Sequence, residues 1–311
     1  MGVKIMKKYI LVLLIVFLLF GCSRVQQPIV KDGSLTIRSD HEMSLWLSYR
    51  DEKADEDGYI PEYQLKELTI GEGVHTIPNF AFSECVNLER VYCSDSIEVI
   101  EESAFYGDVS LRDIHWPKNL RSIEKDAFYG SGLEVVDLPD GLVFIGWYAF
   151  MEMPNLKTII LPDSLEEMDY SFAMDPSLSM VSIGNGLTYL GDGLFSNCNR
   201  LKEIMLPENI TCLKEHVLYN SGIERLIIAG TITTIGSFHI NSYNFPKLKQ
   251  IVFLGDPISE DLDSYNFSLG DTQAAIYYIQ NNKESWAPND ESTWMGIPIF
   301  AIESLDDLPS L

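Results

Sequence analysis

The sequence has few positively charged residues. Of its 311 residues, 22 are Lys or Arg and 46 are Asp or Glu, so the formal net charge is −24 at pH 7. Three Lys lie in the first 21 residues, which leaves 19 basic against 46 acidic side chains and a net charge of −27 in the rest. Phosphate backbones and anionic lipid head groups repel such a chain. The composition therefore excludes nucleic acid as a partner, and any membrane attachment has to come from outside the folded surface.

The sequence also lacks an apolar run long enough to span a bilayer. Its apolar run from Tyr9 to Phe20 follows three Lys and is shorter than the ~20 residues of a spanning helix. A basic start followed by a short apolar run is typical of a signal peptide. We therefore predict a signal peptide over residues 1–21 that is removed from the mature protein, with Met6 as an alternative start to Met1.

The apolar run ends in the letters LFGC. A Cys after a small residue at this point resembles the lipobox of bacterial lipoproteins, in which the Cys is lipidated and becomes the new N-terminus. We predict lipidation at Cys22 and a location in the bacterial cell envelope, lipid-anchored to a membrane and exposed at the surface. Ordinary secretion with an unmodified Cys22 is the alternative.

Catalytic motifs are missing as well. The five His occupy unrelated positions, and the sequence has no H-E-x-x-H, G-x-S-x-G, Walker or dinucleotide motif. The sequence therefore predicts a protein that is not an enzyme and that has no cofactor and no metal site.

What the sequence does contain is a regular repeat. LKTIILPDSL at residues 156–165 returns as LKEIMLPENI at residues 201–210. Nine copies follow one another at spacings of 22 to 25 residues and begin at Leu65, Leu88, Leu111, Leu133, Leu156, Leu178, Leu201, Ile223 and Leu248. Regular spacing in this range predicts a solenoid, in which each turn contacts its neighbours along one direction.

Each copy has the pattern of a short strand and a return. Numbered from the first Leu or Ile, positions 4 and 6 are apolar and alternate with other residues, as in a strand with one buried face. A Pro at position 7 of several copies, such as Pro117 and Pro162, removes an amide donor and ends the strand. A second apolar pair follows at positions 10 and 13, and an Ala-Phe pair ends near position 18. We therefore expect stacked parallel strands with a Phe ring under each next turn.

These motifs resemble the BspA-like, or Treponema-type, leucine-rich repeat family. LKELTIGEGVHTIPNFAFSEC, LERVYCSDSIEVIEESAF and LKEIMLPENITCL match the family pattern L-x-x-I-x-I-P-x-x-V-x-x-I-x-x-x-A-F-x-x-C. The resemblance implies an α/β leucine-rich-repeat solenoid, rich in β-structure, with parallel strands, about nine turns of 22–25 residues and a cap at each end. The copies depart from the pattern at Phe172-Ala173, where the pair is inverted, at Leu218 and Ile240, which replace Phe, and in the longer eighth copy.

The segments around the repeats complete the domain organisation. We predict a lipidated tether over residues 22–33, an N-terminal cap over 34–64, the solenoid over 65–253 and a C-terminal cap over 254–311. The N-terminal segment offers apolar Leu35, Ile37, Leu45 and Trp46 to the first turn. After Phe253 the period fails, and AAIYYIQNNKESW followed by GIPIF is similar to closing segments behind such repeats.

Position 5 of each copy points out of the predicted core. It reads Thr69, Tyr92, His115, Asp137, Ile160, Ser182, Met205, Ile227 and Val252. This column changes chemistry from turn to turn while the core columns do not, so it is free to carry specificity. Exposed apolar patches often mark interaction sites. Our candidate protein-binding residues are Tyr92, His115, Asp137, Ile160, Met180, Met205 and Ile227; the alternative is that a cap or self-association covers this face.

The four Cys of the repeats do not fit a disulfide framework. Cys85 and Cys198 occupy the same repeat position five turns apart, so they cannot pair with each other. Cys93 lies at an inward strand position and Cys212 lies beside the inward Leu213. We therefore predict four buried thiols outside any disulfide.

Three classes of function follow from these observations. The large sheet face without a catalytic set favours a non-enzymatic module that binds a protein partner on the cell surface or in the envelope, and the family resemblance implies adhesion, for example to a host matrix protein. A structural spacer or scaffold within the envelope is the alternative. A carbohydrate-active enzyme would need clustered carboxylates on one face, which adjacent repeats do not show.

Overall fold

A computed structural model describes residues 28–54, 64–235, 238–239, 244–256, 267–268, 274–279, 281, 286, 293–294 and 297–311. The predicted signal peptide, the lipidation site Cys22 and the replaced Phe position at Ile240 lie outside these residues.

The described residues form short strands and one α-helix. In chain order they are β1 (Ser34–Ser39), α1 (Asp40–Ala54), β2 (Glu67–Gly73), β3 (Thr76–Ile77), β4 (Arg90–Cys93), β5 (Val99–Ile100), β6 (Asp113–His115), β7 (Ser122–Ile123), β8 (Val135–Asp137), β9 (Phe144–Ile145), β10 (Thr158–Ile160), β11 (Glu167–Met168), β12 (Met180–Ser182), β13 (Tyr189–Leu190), β14 (Glu203–Leu206), β15 (Cys212–Leu213), β16 (Arg225–Ile228), β17 (Thr234–Ile235), β18 (Phe238–His239), β19 (Gln250–Phe253), β20 (Phe267–Ser268), β21 (Ala275–Ile279), β22 (Thr293–Trp294) and β23 (Ile297–Ile302), and a 3-10 helix spans Leu305–Asp307.

The strand predicted at the start of each copy is present, and successive copies place it side by side in parallel. We name these strands the first sheet. Together with the strands β1, β21, β22 and β23 next to them, they form three hydrogen-bonded segments, in the orders β1-β2-β4-β6, β8-β10-β12 and β14-β16-β19-β21-β23-β22, in which β22 alone pairs antiparallel. The pairing follows the repeat register, since Leu68 lies opposite Val91 and Val91 opposite Ile114. The predicted solenoid of parallel strands is therefore confirmed.

A second set of strands returns the chain past the core. Each has two residues, and they pair in parallel in the orders β3-β5-β7-β9-β11 and β13-β15-β17. Their second residue, for example Ile77, Ile100 and Ile123, is fully buried. The core therefore lies between the two sheets and is continuous from turn to turn.

The Phe predicted near position 18 forms a ladder through the core. The rings of Phe82, Phe105, Phe128, Phe150, Phe172 and Phe195 stack on one another with centroid distances of 5.1 to 6.0 Å. Such stacked pairs contribute more to stability than the area that they bury accounts for.

We call the segment between the second strand and the next repeat the turn segment.

Phe172 shows how the inverted pair is accommodated. Met168 lies opposite Ile145 at an offset of 23 residues, whereas Phe172 stacks on Phe150 at an offset of 22. The turn segment is therefore one residue shorter at this copy, and the ring keeps its place in the ladder.

The helix α1 lies against the first turn. Its Trp46 is fully buried, donates from Nε1 to the carbonyl oxygen of Ala81 at 2.9 Å and stacks on Phe82 at 6.0 Å. Ser39 Oγ accepts a hydrogen bond from the amide of Glu42, as expected at a helix N-terminus. Trp46 thus continues the ring ladder by one member.

The first sheet extends beyond the nine copies at both ends. β1 pairs in parallel with β2, and Ile276 in β21 lies opposite Ile251 in β19 and Ile299 in β23. The segments assigned to the caps therefore contribute strands to the same sheet.

The four Cys of the described residues form no disulfide, as predicted. Cys85, Cys93 and Cys198 are buried, whereas Cys212 is half-buried. Burial raises the pKa of Cys93 to about 12, so this thiol stays protonated and behaves as a small apolar side chain.

Candidate functional site

The outward side of the first sheet is the surface on which the sequence placed the binding residues. We call it the outward face. Tyr92, His115, Asp137, Ile160, Ser182 and Met205 are exposed there, as the alternation of the strands predicts.

The middle of the outward face is apolar. Val135 is 51% exposed, Ile160 39%, Met180 55% and Met205 43%. Thr158 lies between Val135 and Met180, and Ile160 lies between Asp137 and Ser182, so the apolar side chains alternate with polar ones. Exposed apolar side chains gathered on one surface often mark interaction sites. These four residues form what we call the central patch.

Two breaks in the sheet bound the strands that carry most of this patch. No hydrogen-bonded ladder joins β6 to β8 or β12 to β14 in the part of the chain that the structure describes. The segment β8-β10-β12 between the breaks holds Val135, Ile160 and Met180, and Met205 lies on β14 just beyond. Three of the four residues of the central patch therefore lie on a separate structural segment of the sheet.

The break beside β8 opens a cleft of about 600 Å³. It is lined by Arg112, Asp113, Ile114, His115, Trp116, Val135, Asp137, Leu138, Pro139 and Asp140. Trp116 is half-buried, and its ring packs edge-on against Phe128 at a centroid distance of 5.3 Å. Because Trp116 is bulkier than Cys93 or Leu138 in the same column, this turn needs more room than its neighbours.

The cleft is acidic where it faces solvent. Arg112 is held by the backbone, since its Nη1 donates to the carbonyl oxygens of Val109 at 2.9 Å and Gly132 at 2.7 Å. A Cβ on Gly132 would collide with that guanidinium, so only Gly leaves room for it. The exposed Asp113, Asp137 and Asp140 and the exposed His115 complete the charged lining.

Ion pairs flank the central patch on either side. Arg90 donates from Nε to Glu67 Oε1 at 2.9 Å on the N-terminal side. Arg225 Nη1 lies 2.7 Å from Glu203 Oε2 on the C-terminal side. Arg90 and Arg225 are therefore paired with carboxylates of the protein itself. The patch between these pairs offers mainly apolar and acidic groups to a partner.

The expected exposure of Ile227 and Val252 is wrong. Ile227 is 3% exposed and Val252 is fully buried. They pack with Ile302 and with the partly buried Leu254, Tyr277, Ile279, Leu305 and Leu308. Arg225 Nη2 and Gln250 Nε2 both donate to the carbonyl oxygen of Pro309, at 2.8 and 3.0 Å. The segment after β23 therefore folds over this end of the outward face, and Ile227 is not available as a binding residue.

Sequence reasoning missed Val135 and the cleft. Val135 lies two residues before Asp137 on the same strand, so strand alternation was sufficient to find it. The cleft lies where β6 and β8 are not hydrogen bonded to each other, and no residue pattern in the sequence predicted this break.

The described residues hold no group of three or more His, Cys, Asp or Glu side chains that could bind a metal ion. No helix in the described part of the chain has the length and apolar character needed to cross a membrane.

A family model supports the assignment of the repeats. The model of the BspA type leucine rich repeat region matches six copies, over residues 59–171, 121–244 and 168–269. These ranges together cover more than half of the chain.

Comparison with solved structures finds leucine-rich repeat proteins. One from Bacteroides ovatus is 23% identical with a TM-score of 0.52, and the match covers 68% of this chain and 63% of that one. The T. pallidum leucine rich repeat protein is 22% identical over 66% of this chain and 83% of that one, with a TM-score of 0.43. A leucine rich cell surface protein from Faecalibacterium prausnitzii is 17% identical over 77% and 86% of the two chains, with a TM-score of 0.33.

The chain thus spans 63% of the length of the Bacteroides ovatus protein. No curated protein matches the chain in sequence.

Proposed function

The chain belongs to the BspA-type leucine-rich repeat family, and from this premise we propose that it is a non-enzymatic protein-binding module of the bacterial cell envelope. Solenoids of this kind present extended surfaces on which partners bind. The role in adhesion or host interaction that the resemblance implies is part of this proposal.

The central patch is the observation that carries the proposal. Met180 and Val135 are more than half exposed, although they lie on a sheet whose other side packs against the core. Two of the four residues are Met, whose flexible side chain adapts to partner surfaces. Ion pairs on both sides provide a polar rim, which is the usual anatomy of an interface.

Charge defines the partner further. The chain carries a net charge of −24, and the cleft beside the patch exposes Asp113, Asp137 and Asp140. Opposite charges accelerate encounter and exclude wrong partners. We therefore propose a partner that combines an apolar centre with basic side chains, one of which enters the cleft.

The anchoring segment completes the proposed organisation. Residues 1–21 serve as the signal peptide, Cys22 carries the lipid and residues 22–33 form the tether, which spans at most ~40 Å when extended. The caps over residues 34–64 and 254–311 then close the solenoid, and the outward face is held near the membrane surface.

Photo-cross-linking in intact cells tests the binding proposal. A photoreactive residue at Ile160 or Met205 should give covalent adducts with another protein, because both positions face the proposed partner. Glu167 is the matched control, since it is exposed in the same copy as Ile160 but lies in the second strand set.

Adducts from Ile160 and Met205 without adducts from Glu167 support the outward face as the binding surface. Equal adducts from all three positions would mean non-specific contact. No adducts, together with an altered envelope when the gene is deleted, would favour the structural spacer.

A further inference from the structure

Three aromatic side chains form an exposed cluster on the turn segments, away from the outward face. The ring centroids of Trp147 and Tyr148 lie 6.2 Å apart, those of Trp147 and Tyr170 6.3 Å, and those of Tyr148 and Tyr170 5.9 Å. Trp147 is 53% exposed, and the two Tyr are half-buried. The two Tyr thus support one indole that faces solvent.

The repeat does not require these rings. Aligned on the ladder Phe, the position of Trp147 holds polar residues in the other copies, namely Asn79, Glu102, Lys125, Asp169, Asp192 and Glu215. The position of Tyr148 and Tyr170 has a left-handed backbone, and the other copies fill it with Phe80, Ser103, Asp126, Gly193 and His216. A bulky residue is uncommon in that conformation. The cluster is therefore an addition to the repeat and not part of its packing.

Tyr170 is fixed in place by its neighbours. Its amide donates to the carbonyl oxygen of Asp192 at 2.8 Å. A Cβ atom on Gly193 would collide with the ring atom Cε1 of Tyr170. Because Gly193 has no side chain, the Tyr170 ring fits in this place. The cluster is thus preorganised, which lowers the entropic cost of binding a ligand.

Carboxylates lie in the turns beside the cluster. Asp192 Oδ1 accepts the amide of Glu215 at 2.9 Å, and Asp169 Oδ1 lies 3.2 Å from Lys214 Nζ. On the other side Asp126 Oδ2 lies 3.1 Å from Lys125 Nζ. Ionised carboxylates only accept hydrogen bonds, so they suit a ligand rich in hydroxyl donors.

We propose that Trp147, Tyr148 and Tyr170 form a binding site for a neutral, extended, β-linked polysaccharide. The flat C–H face of one sugar ring stacks on the exposed Trp147 indole, while hydroxyls of sugars further along the chain donate to Asp192 and Glu215 on the following turns. The surrounding acids and the net charge of −24 repel acidic glycans.

The solenoid geometry suits a chain of sugars. Successive turns are ~4.8 Å apart, which is close to the advance of one sugar ring in an extended glycan. A second aromatic pair, the exposed Tyr106 and the half-buried Tyr129, stacks at a centroid distance of 5.1 Å on the preceding turn segments. Sugar rings can therefore follow the turn segments from one copy to the next.

Protein docking fits this site less well. A stable protein interface needs about 800 Å² on each partner, whereas the cluster is three rings between the charged Lys125, Asp192 and Glu215. The outward face already offers a broader apolar surface. The cluster and that face are separate, so either proposal can fail without the other.

Titration calorimetry with cellohexaose and chitohexaose tests the proposal. We expect the Cys22→Ala chain to bind at least one of them, and a further Trp147→Ala change to weaken that binding by about tenfold or more. Phe80→Ala is the matched control, because Phe80 is also 53% exposed but has no part in the cluster. Polygalacturonate should not bind.

Other outcomes overturn the proposal. One is that neither hexasaccharide binds. Another is that Phe80→Ala and Trp147→Ala weaken sugar binding equally. A third is that choline binds in place of the sugars, which would make the cluster a cation site. Loss of a protein complex in Trp147→Ala without any sugar binding would make it a protein contact. Unchanged melting temperatures for both variants would exclude misfolding as the cause of any loss.

Discussion

The buried acids of the turn segments are the least expected residues in this protein. Asp108 and Asp175 are fully buried, and each accepts one backbone amide, from Cys85 and Met153 respectively, at 2.8 Å. The second carboxyl oxygen of each has no hydrogen-bond partner among the residues that the structure describes. Burial therefore raises the pKa of both groups well above the ordinary value.

The pKa of Asp108 predicts a pH-dependent stability. The folded chain keeps a proton on Asp108 that the unfolded chain releases, so the free energy of unfolding falls as the pH rises from the ordinary pKa of Asp towards the raised one. Asp108→Asn keeps an acceptor for the Cys85 amide and cannot ionise. We expect the difference in melting temperature between Asp108→Asn and the wild type to increase as the pH is raised from about 5 to about 8. Each kcal/mol of difference in the free energy of unfolding should shift the melting temperature by roughly 2 to 4 °C.

Asp95→Asn is the control with the opposite sign. The backbone amide and the side chain of Lys118 hydrogen bond to the exposed Asp95 and lower its pKa, so its contribution is lost only as the pH falls. A rising melting temperature in both variants, or in neither, would contradict the role assigned to Asp108.

The thiols give a second residue-scale prediction. In a Cys22→Ala chain we expect four thiols to react in denaturant, and Cys212 to react first in the folded protein because it alone is half-buried. Counting reactive thiols with a chromogenic reagent, with and without denaturant, checks this. Cys212→Ser should remove the fast-reacting group; fewer than four thiols in denaturant would reveal a disulfide.

At the scale of the elements, the repeat period predicted most of the fold. The residues at position 4, such as Leu68 and Val91, are buried strand residues as predicted, and the Phe of the Ala-Phe pairs forms the ring ladder. These columns are predictable because every turn packs against its neighbours in the same way and with the same residue types. The exposure of Tyr92, Ile160 and Met205 follows from strand alternation in the same way.

The features that the sequence did not predict are not periodic. Ile227 is covered by a segment that lies about 75 residues further along the chain, near Ile302. In the described part of the chain, the first sheet is interrupted between β6 and β8 and between β12 and β14. Contacts of this kind arise from tertiary packing and leave no repeated mark in the sequence.

The ring ladder predicts a large loss on truncation. Phe128 is fully buried and stacks on Phe105 at 5.1 Å and on Phe150 at 5.3 Å. Phe128→Ala should lower the free energy of unfolding by about 3 to 5 kcal/mol in urea denaturation. Phe80→Ala should change it by less than ~0.5 kcal/mol, because the exposed ring of Phe80 lies outside the ladder. A small effect of Phe128→Ala would contradict the ladder as a stabilising element.

At the scale of the whole molecule, the proposed protein combines an acidic solenoid with an N-terminal lipid anchor. The folded surface does not favour anionic lipid, so the proposed membrane attachment depends on Cys22. The outward face can then meet a partner while the turn segments with the aromatic cluster remain open to solvent.

Protease treatment of intact cells tests this arrangement. We expect the wild-type chain to be cleaved while periplasmic and cytoplasmic markers survive, and Cys22→Ala to leave the cell-bound fraction for the medium because it lacks the lipid. Immunoblotting of cells and medium measures both. A wild-type chain that resists protease until the envelope is broken would place it inside the envelope and remove the adhesion proposal.

The most direct test of the central claim is the size of the native complex that contains this chain in detergent-solubilised envelopes. We compare the wild type with a Met180→Asp and Ile160→Asp double variant, because both changes put charge on the central patch without entering the core. The account predicts that part of the wild-type chain migrates in a larger complex, and that the variant migrates alone with an unchanged melting temperature. An unchanged complex in the double variant, or its loss together with a lowered melting temperature, would contradict the assignment of the central patch as the protein-binding surface.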